Sequence, residues 1–333
     1  MFKQSIKTTT ILCSIFLLLA SCQTVTIDTT IKRPSEVNMD RYQTVALVKI
    51  DDDQDRFLTN SLLSKVSSAG SLRFIDQQKI DEVIQYQLET DSDAYSAEGA
   101  SQIGELVRAD VVIVGQVTEN NWNDQEVVKH KDTYNFLQQQ QDPDYEPPTY
   151  YGRKGSVSLN VSISVIETGT GQIVVQKDYN EYADSVYGRS ENPDSLPQRL
   201  DLLPLYKRCC ERIATKFSKV ITPYQERLQV QLETVDHPDF ERGLAFAKNG
   251  SWDKAANVFR EIQEYGKQNQ GVIGTEAAAS AYFNYGVALQ YDGDYDRALR
   301  YLDIAYEANP KKVYHNQIEK CKQDKENAFR LGG

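Results

Sequence analysis

The sequence predicts two joined parts: a mixed α/β domain in which helices pack on a sheet and, after it, an all-α module of repeated helix pairs. Three observations carry this. Between residues 45 and 117, short apolar runs alternate with stretches of helical apolar spacing, the pattern of helices layered on a sheet. Ser156 to Val165 alternates apolar and small polar residues, as a strand with one buried face does. Asn249-Gly-Ser-Trp-Asp-Lys-Ala255 returns 43 residues later as Asp292-Gly-Asp-Tyr-Asp-Arg-Ala298, and self-similarity at a fixed period marks a helical array.

The chain opens on a different kind of segment. Lys3 and Lys7 precede an apolar run from Ile11 to Leu19, followed by Ala20-Ser21-Cys22. This three-zone order reads residues 1–21 as a secretory leader, and the run is too short for a membrane-crossing helix, which needs about 20 residues. Leu19-Ala20-Ser21-Cys22 resembles the lipobox of bacterial lipoproteins, which makes the Cys22 thiol the acceptor for lipid and the membrane a partner through it. Gln23 in place of Asp resembles the outer-membrane default of such proteins, so the expected location is the outer membrane, lipid-anchored on its periplasmic face. Residues 22–40 are polar and read as a lipidated tether or a peripheral strand.

Val45 to Ile50 is a short apolar run suited to a buried strand. Phe57, Leu58, Leu62, Leu63 and Val66 stand at helical spacing before Gly70. Leu72 to Ile75 is a second strand, and Asp76 is placed to cap a helix carrying Ile80, Val83, Ile84 and Leu88. A helix around Ile103 to Val107 leads into Ala109 to Val117, the strongest strand signal. Residues 121–154 then read as a polar excursion with Pro143, Pro147 and Pro148. After the alternating strand, Thr168-Gly-Thr-Gly171 turns the chain back along Gln172 to Asp178. A second polar excursion, 179–198, precedes a helix from Leu203 to Ile221 with Pro204 in its first turn. The α/β domain thus spans 41–225, and the polar stretch from Pro223 to Pro238 reads as a boundary.

Residues 239–333 hold the repeat. Gly243 and Gly286 correspond, as do Phe259 and Leu302. Together with Tyr282, Tyr285, Ala298, Ala305 and Pro310, these positions resemble two tetratricopeptide repeats, with Lys311 to Arg330 as a capping helix. The resemblance implies helix pairs in which small residues allow close approach, and a groove for protein partners. Trp252, Tyr282 and Tyr285 are either walls of that groove or its core.

From Val45 to about Ile221 the order of features resembles the curli-secretion lipoprotein (CsgG-like) family. The likeness rests on the acidic end of the first strand (Val45 to Asp53), Phe74-Ile-Asp-Gln-Gln-Lys-Ile80, Ala109-Asp-Val-Val-Ile-Val-Gly115 and the hairpin Val161 to Ile173. It implies fold more than function. In the family's pore-forming members two excursions become membrane hairpins of a shared barrel, which makes a homo-oligomeric secretion channel the alternative. The excursions here lack the roughly ten-residue apolar alternation of a membrane strand.

Enzyme chemistry finds little support. His130, His237 and His315 are the only histidines and lie far apart, so neither a metal site nor a His-based triad is expected. There is no GxxxxGK loop and no GxSxG elbow, and no cofactor is implied. The net charge of −11 becomes −13 once Lys3 and Lys7 leave with the leader, which disfavours nucleic acid as a partner. Cys209, Cys210 and Cys321 are too few for a disulfide framework. Asp51 to Asp55 reads as a solvated acidic turn. The expected function is a protein-binding scaffold or assembly factor in envelope assembly, secretion or cell-wall maintenance.

Overall fold

The computed structural model describes residues 24–70, 72–88, 96–130 and 149–332. The leader and Cys22 lie outside the described residues. The fold is mixed α/β and divides into two compact units. One runs from Ser35 to Pro223; the other combines the chain up to Pro34 with the chain from Tyr224 onward.

The Ser35–Pro223 unit is built on a five-stranded sheet. Its strands are β2 (Thr44–Leu47), β3 (Arg73–Phe74), β4 (Val111–His130), β5 (Thr149–Glu167) and β6 (Ile173–Ser190), in the order β3-β2-β4-β5-β6; β1 (Thr24–Arg33) belongs to the other unit. β2 is parallel to β3 and β4, whereas β4, β5 and β6 form an antiparallel meander. Neighbouring residues of β2 and β4 serve opposite faces. Val45, Leu47, Val111 and Ile113 join one core with α1 (Phe57–Ser67) and α4 (Leu203–Ile221). Ala46, Val112 and Val114 join another with α2 (Gln77–Leu88) and α3 (Ala97–Val107). The predicted face Val157, Leu159, Val161, Ile163 and Val165 is fully buried in the first core.

The acidic turn differs from the solvated one expected. Asp53 is buried, and its carboxylate accepts hydrogen bonds from the backbone N–H groups of Leu58 (3.0 Å) and Thr59 (2.7 Å) and from the Tyr206 hydroxyl (3.2 Å). It satisfies orphan donors at the start of α1. Asp52, Asp55 and Arg56 beside it take positive φ, a conformation that non-glycine residues rarely adopt.

Two segments expected to be irregular are strands. Residues 121–130 and 149–154 continue β4 and β5 in register down to the His130–Thr149 pair, and residues 179–190 continue β6. Cross-strand ion pairs, Arg153 with Asp124 (2.9 Å) and Lys154 with Asp184 (3.1 Å), tie these polar extensions together. Pro143, Pro147 and Pro148 lie outside the described residues.

Of the two readings of 22–40, tether or peripheral strand, residues 24–33 take the strand. β1 (Thr24–Arg33) pairs antiparallel with β7 (Tyr224–Glu233) over all ten residues, so the stretch read as a boundary after Pro223 is a strand as well. The pairing buries Ile27, Val230 and Leu232 on one side, and the opposite side is polar.

Candidate functional site

The second unit packs the β1–β7 ribbon with the repeat helices. These are α5 (Phe240–Lys248), α6 (Trp252–Gln268), α7 (Thr275–Asp292), α8 (Tyr295–Ala308) and α9 (Lys312–Arg330), with a single helical turn at Gln270–Ile273. Corresponding repeat positions meet as the sequence spacing implies. A Cβ on Gly243 would stand 2.8 Å from the Phe259 ring, and one on Gly286 would stand 2.8 Å from Leu302 Cγ. The two glycines let α5 approach α6, and α7 approach α8, backbone to side chain. α7 is buried nearly all round, with Ala278, Ala279, Phe283, Tyr285, Val287 and Leu289 all inside.

Part of this helical surface is occupied by the protein's own ribbon, which is fastened at both ends. At one end Glu233, 2% exposed, accepts hydrogen bonds from Ser280 Oγ (2.5 Å), Lys311 Nζ (3.1 Å) and the Tyr314 hydroxyl. Its backbone N–H donates to Asn284 Oδ1 (2.8 Å) and its carbonyl accepts from Asn284 Nδ2 (2.6 Å). Burial works to lower the Lys311 ammonium, but its bonds to Glu233 and Glu276 outweigh this and hold it above its ordinary value. At the other end Arg33 pairs with Glu226 (2.6 Å) and with the fully buried Asp324 of α9, whose second oxygen accepts from Gln290 Nε2 (2.7 Å). A buried carboxylate needs such partners.

The three aromatic residues singled out in the sequence therefore separate. Trp252 is 6% exposed, and its indole N–H donates to Thr29 Oγ1 of β1 at 3.1 Å. Tyr285 is 1% exposed, and its hydroxyl meets the Arg297 guanidinium. Both sit in the core. Tyr282 alone reaches a surface groove of about 400 Å³ between α6 and α8, lined also by Lys267, Arg297, Arg300, Tyr301 and Ile304. Tyr282 and Tyr301 stack there, ring centroids 6.3 Å apart. Lys267, Arg297 and Arg300 line the groove with one carboxylate, Glu264, and Arg297 is paired with Asp294 (3.2 Å), which leaves a net cationic lining on an acidic chain. The sequence reading missed its α8 wall, although Arg297, Arg300, Tyr301 and Ile304 stand at i, i+3, i+4 and i+7, the spacing of one helix face.

A second hollow, of about 410 Å³, lies in the sheet unit among Arg41, Tyr42, Asp110, Glu167 and Thr170. Its acids are engaged internally. Asp110 accepts from the backbone of Gln43 and Thr44, which holds its carboxyl below the usual range, and Glu167 accepts from Thr170 and Tyr42. Among the described residues no cluster of His, Cys, Asp and Glu is arranged to hold a metal ion, and no helix is long and apolar enough to cross a membrane.

No protein-family model matches the chain, and no curated protein does. Among solved structures it is similar to lipoprotein GNA1162 from Neisseria meningitidis, at 9% identity over 43% of this chain and 84% of that one, TM-score 0.28. It is also similar to the PelC dodecamer from Paraburkholderia phytofirmans, at 12% identity over 59% and 99%, TM-score 0.28. A third similarity is to a minor lipoprotein from Acinetobacter baumannii, at 10% identity over 54% and 91%, TM-score 0.25. Likenesses of this size carry no argument about the function of this chain.

Proposed function

We propose that this protein is an envelope lipoprotein, held at the outer membrane by lipid on Cys22, that works by binding another protein through its helical unit. In this reading the sheet unit is a CsgG-like domain and the helices are tetratricopeptide repeats. The observation that carries it is the groove between α6 and α8. Stacked Tyr282 and Tyr301, apolar Ile304, and Lys267, Arg297 and Arg300 line it, which suits an acidic polypeptide segment with an apolar side chain at its centre. Its activity is binding, with no bond made or broken.

The alternative is a subunit of an oligomeric secretion channel. It draws on the long β4–β5–β6 meander, whose extensions are paired strands. Against it, both faces of those extensions carry charge: Arg153 and Glu181 stand on one side, and the cross-strand pair Lys154 and Asp184 on the other. A membrane strand presents an unbroken apolar face to lipid.

Native mass and particle shape of the full-length lipidated protein in mild detergent separate the two. A monomer or small oligomer with detergent confined to the lipidated end supports the scaffold. A closed ring with a lumen and a detergent belt around the strand extensions overturns it in favour of the channel.

A further inference from the structure

β1 is part of the helical unit along its whole length. Its ten residues pair with β7, from Thr24–Glu233 to Arg33–Tyr224. Ile27 is buried with Phe240 and Leu244, Thr29 accepts the Trp252 indole, and Arg33 meets Asp324. Thr24, where the strand begins, stands two positions after Cys22. A polypeptide advances at most about 3.6 Å per residue, so the Cα of Cys22 lies within roughly 7 Å of the Cα of Thr24. That distance leaves no room for a spacer between an acyl-bearing Cys22 and the ribbon.

We infer that the helical unit binds a lipid surface directly, with the Thr24–Glu233 end of its ribbon held at the headgroup layer. The inference rests on lipid attachment at Cys22. An anchored tether would let the module drift tens of ångströms from the bilayer; a paired and latched strand holds it there. Charge around this end is net negative, with two carboxylates, Glu233 and Glu276, sharing the single Lys311 ammonium (3.1 Å each), so these groups offer nothing to draw anionic lipid. Acyl chains, each buried methylene contributing favourably, therefore supply the attachment without a need for anionic lipid. A partner captured by this unit is captured beside the membrane.

The test uses the full-length lipidated protein in phosphatidylcholine vesicles that contain a nitroxide-headgroup lipid. A fluorophore is placed on Gln231→Cys or, separately, on Thr26→Cys; both positions are exposed and they are cross-strand partners. Cys209, Cys210 and Cys321 are buried and stay unlabelled under native conditions. Thr26 stays near the bilayer by chain connectivity alone, whereas Gln231 does so only if β1 remains paired. Equal, strong quenching at both positions is expected, falling at both when twenty Gly/Ser residues are inserted between Gln23 and Thr24. Replacing phosphatidylcholine by phosphatidylglycerol leaves the signals unchanged; a gain would overturn the charge argument. Quenching at Thr26→Cys without quenching at Gln231→Cys, on protein shown by mass to be acylated, overturns the inference and spares the anchor. Protein that carries no acyl mass on Cys22 overturns the anchor, and the inference with it.

Discussion

Trp252 Nε1 donates a hydrogen bond to Thr29 Oγ1 at 3.1 Å, across 223 positions of sequence. The bond joins the start of a repeat helix to the middle of a strand near the other end of the chain, and both groups are buried. Removing either partner strands the other, at about 1–3 kcal/mol for an unsatisfied buried group. Trp252→Phe and Thr29→Val should each lower the denaturant midpoint of the helical unit, whereas the double variant should lose less than the two single losses added together. The expected coupling is about 1 kcal/mol, within the usual range for contacting residues. Additive losses would mean that the bond contributes nothing.

Arg33 and Asp324 predict a sharper asymmetry. Asp324 has no solvent exposure at its side chain, and Arg33 little. Arg33→Met leaves a buried carboxylate without its cation and should cost about 3–5 kcal/mol, while Arg33→Met with Asp324→Leu should recover most of that. Chemical denaturation of the two variants side by side reads the difference. Similar losses in both would show that packing around Arg33 matters more than its charge.

What the sequence made legible follows from where its signals are local. The β5 face from Val157 to Val165 was readable because one side of that strand is apolar and buried. The extensions beyond it were not, since pairs such as Arg153–Asp124 and Lys154–Asp184 hold strands whose two faces are both polar and leave no period-two apolar pattern. Gly243 facing Phe259 and Gly286 facing Leu302 were foreshadowed by the repeat spacing. The β1–β7 pairing joins segments about two hundred residues apart, and neither strand announces its partner. Glu233, Ser280, Lys311 and Tyr314 likewise come from separate elements, so their convergence is tertiary. Trp252, read from the sequence as groove wall or core, is buried against the protein's own strand through Thr29.

The buried thiols give an alkaline prediction. Burial pushes Cys210 and Cys321 each up to about 12, and it pushes the buried Tyr206 and Tyr314 and the partly buried Tyr291 upward too. A thiol with a raised native pKa keeps its proton where the unfolded thiol, near 8.5, has lost it. Folding stability is therefore full below about pH 8.5 and falls as pH rises toward 12, by up to about 1.4 kcal/mol per pH unit for each thiol. Denaturant midpoints measured from pH 8 to 11 should decline steadily, and iodoacetamide at pH 8 should modify these cysteines only after unfolding. Rapid native alkylation would contradict the burial.

The groove makes a prediction about charge. Lys267 and Arg300 are exposed at its rim and Tyr282 lies within it. Lys267→Glu with Arg300→Glu should weaken binding of an acidic, aromatic-containing peptide at least tenfold at low salt, because like charges then face each other across the contact. Tyr282→Ala should weaken it at all salt concentrations, since that contact is packing and is not screened. Titration calorimetry at two ionic strengths distinguishes the effects, and binding indifferent to all three changes would place the partner elsewhere.

Gly243 and Gly286 occupy equivalent repeat positions, yet alanine should act differently at each. In a helix interior Gly→Ala alone gains about 1 kcal/mol. At Gly243 the three atoms nearest the added methyl all belong to the Phe259 ring, at 2.8 to 3.2 Å, and a ring can tilt, so the gain and the crowding should nearly cancel. At Gly286 the methyl meets Leu302 Cγ at 2.8 Å and also the Leu302 backbone nitrogen at 3.1 Å. Backbone cannot yield unless α8 moves as a whole, and overpacking of that kind costs about 1–3 kcal/mol. Gly286→Ala should therefore destabilise the helical unit by up to about 2 kcal/mol net, while Gly243→Ala stays within about 0.5 kcal/mol of the parent. Thermal and chemical unfolding of the pair reads this directly, and equal effects at the two sites would show that α7 and α8 separate as freely as a side chain turns.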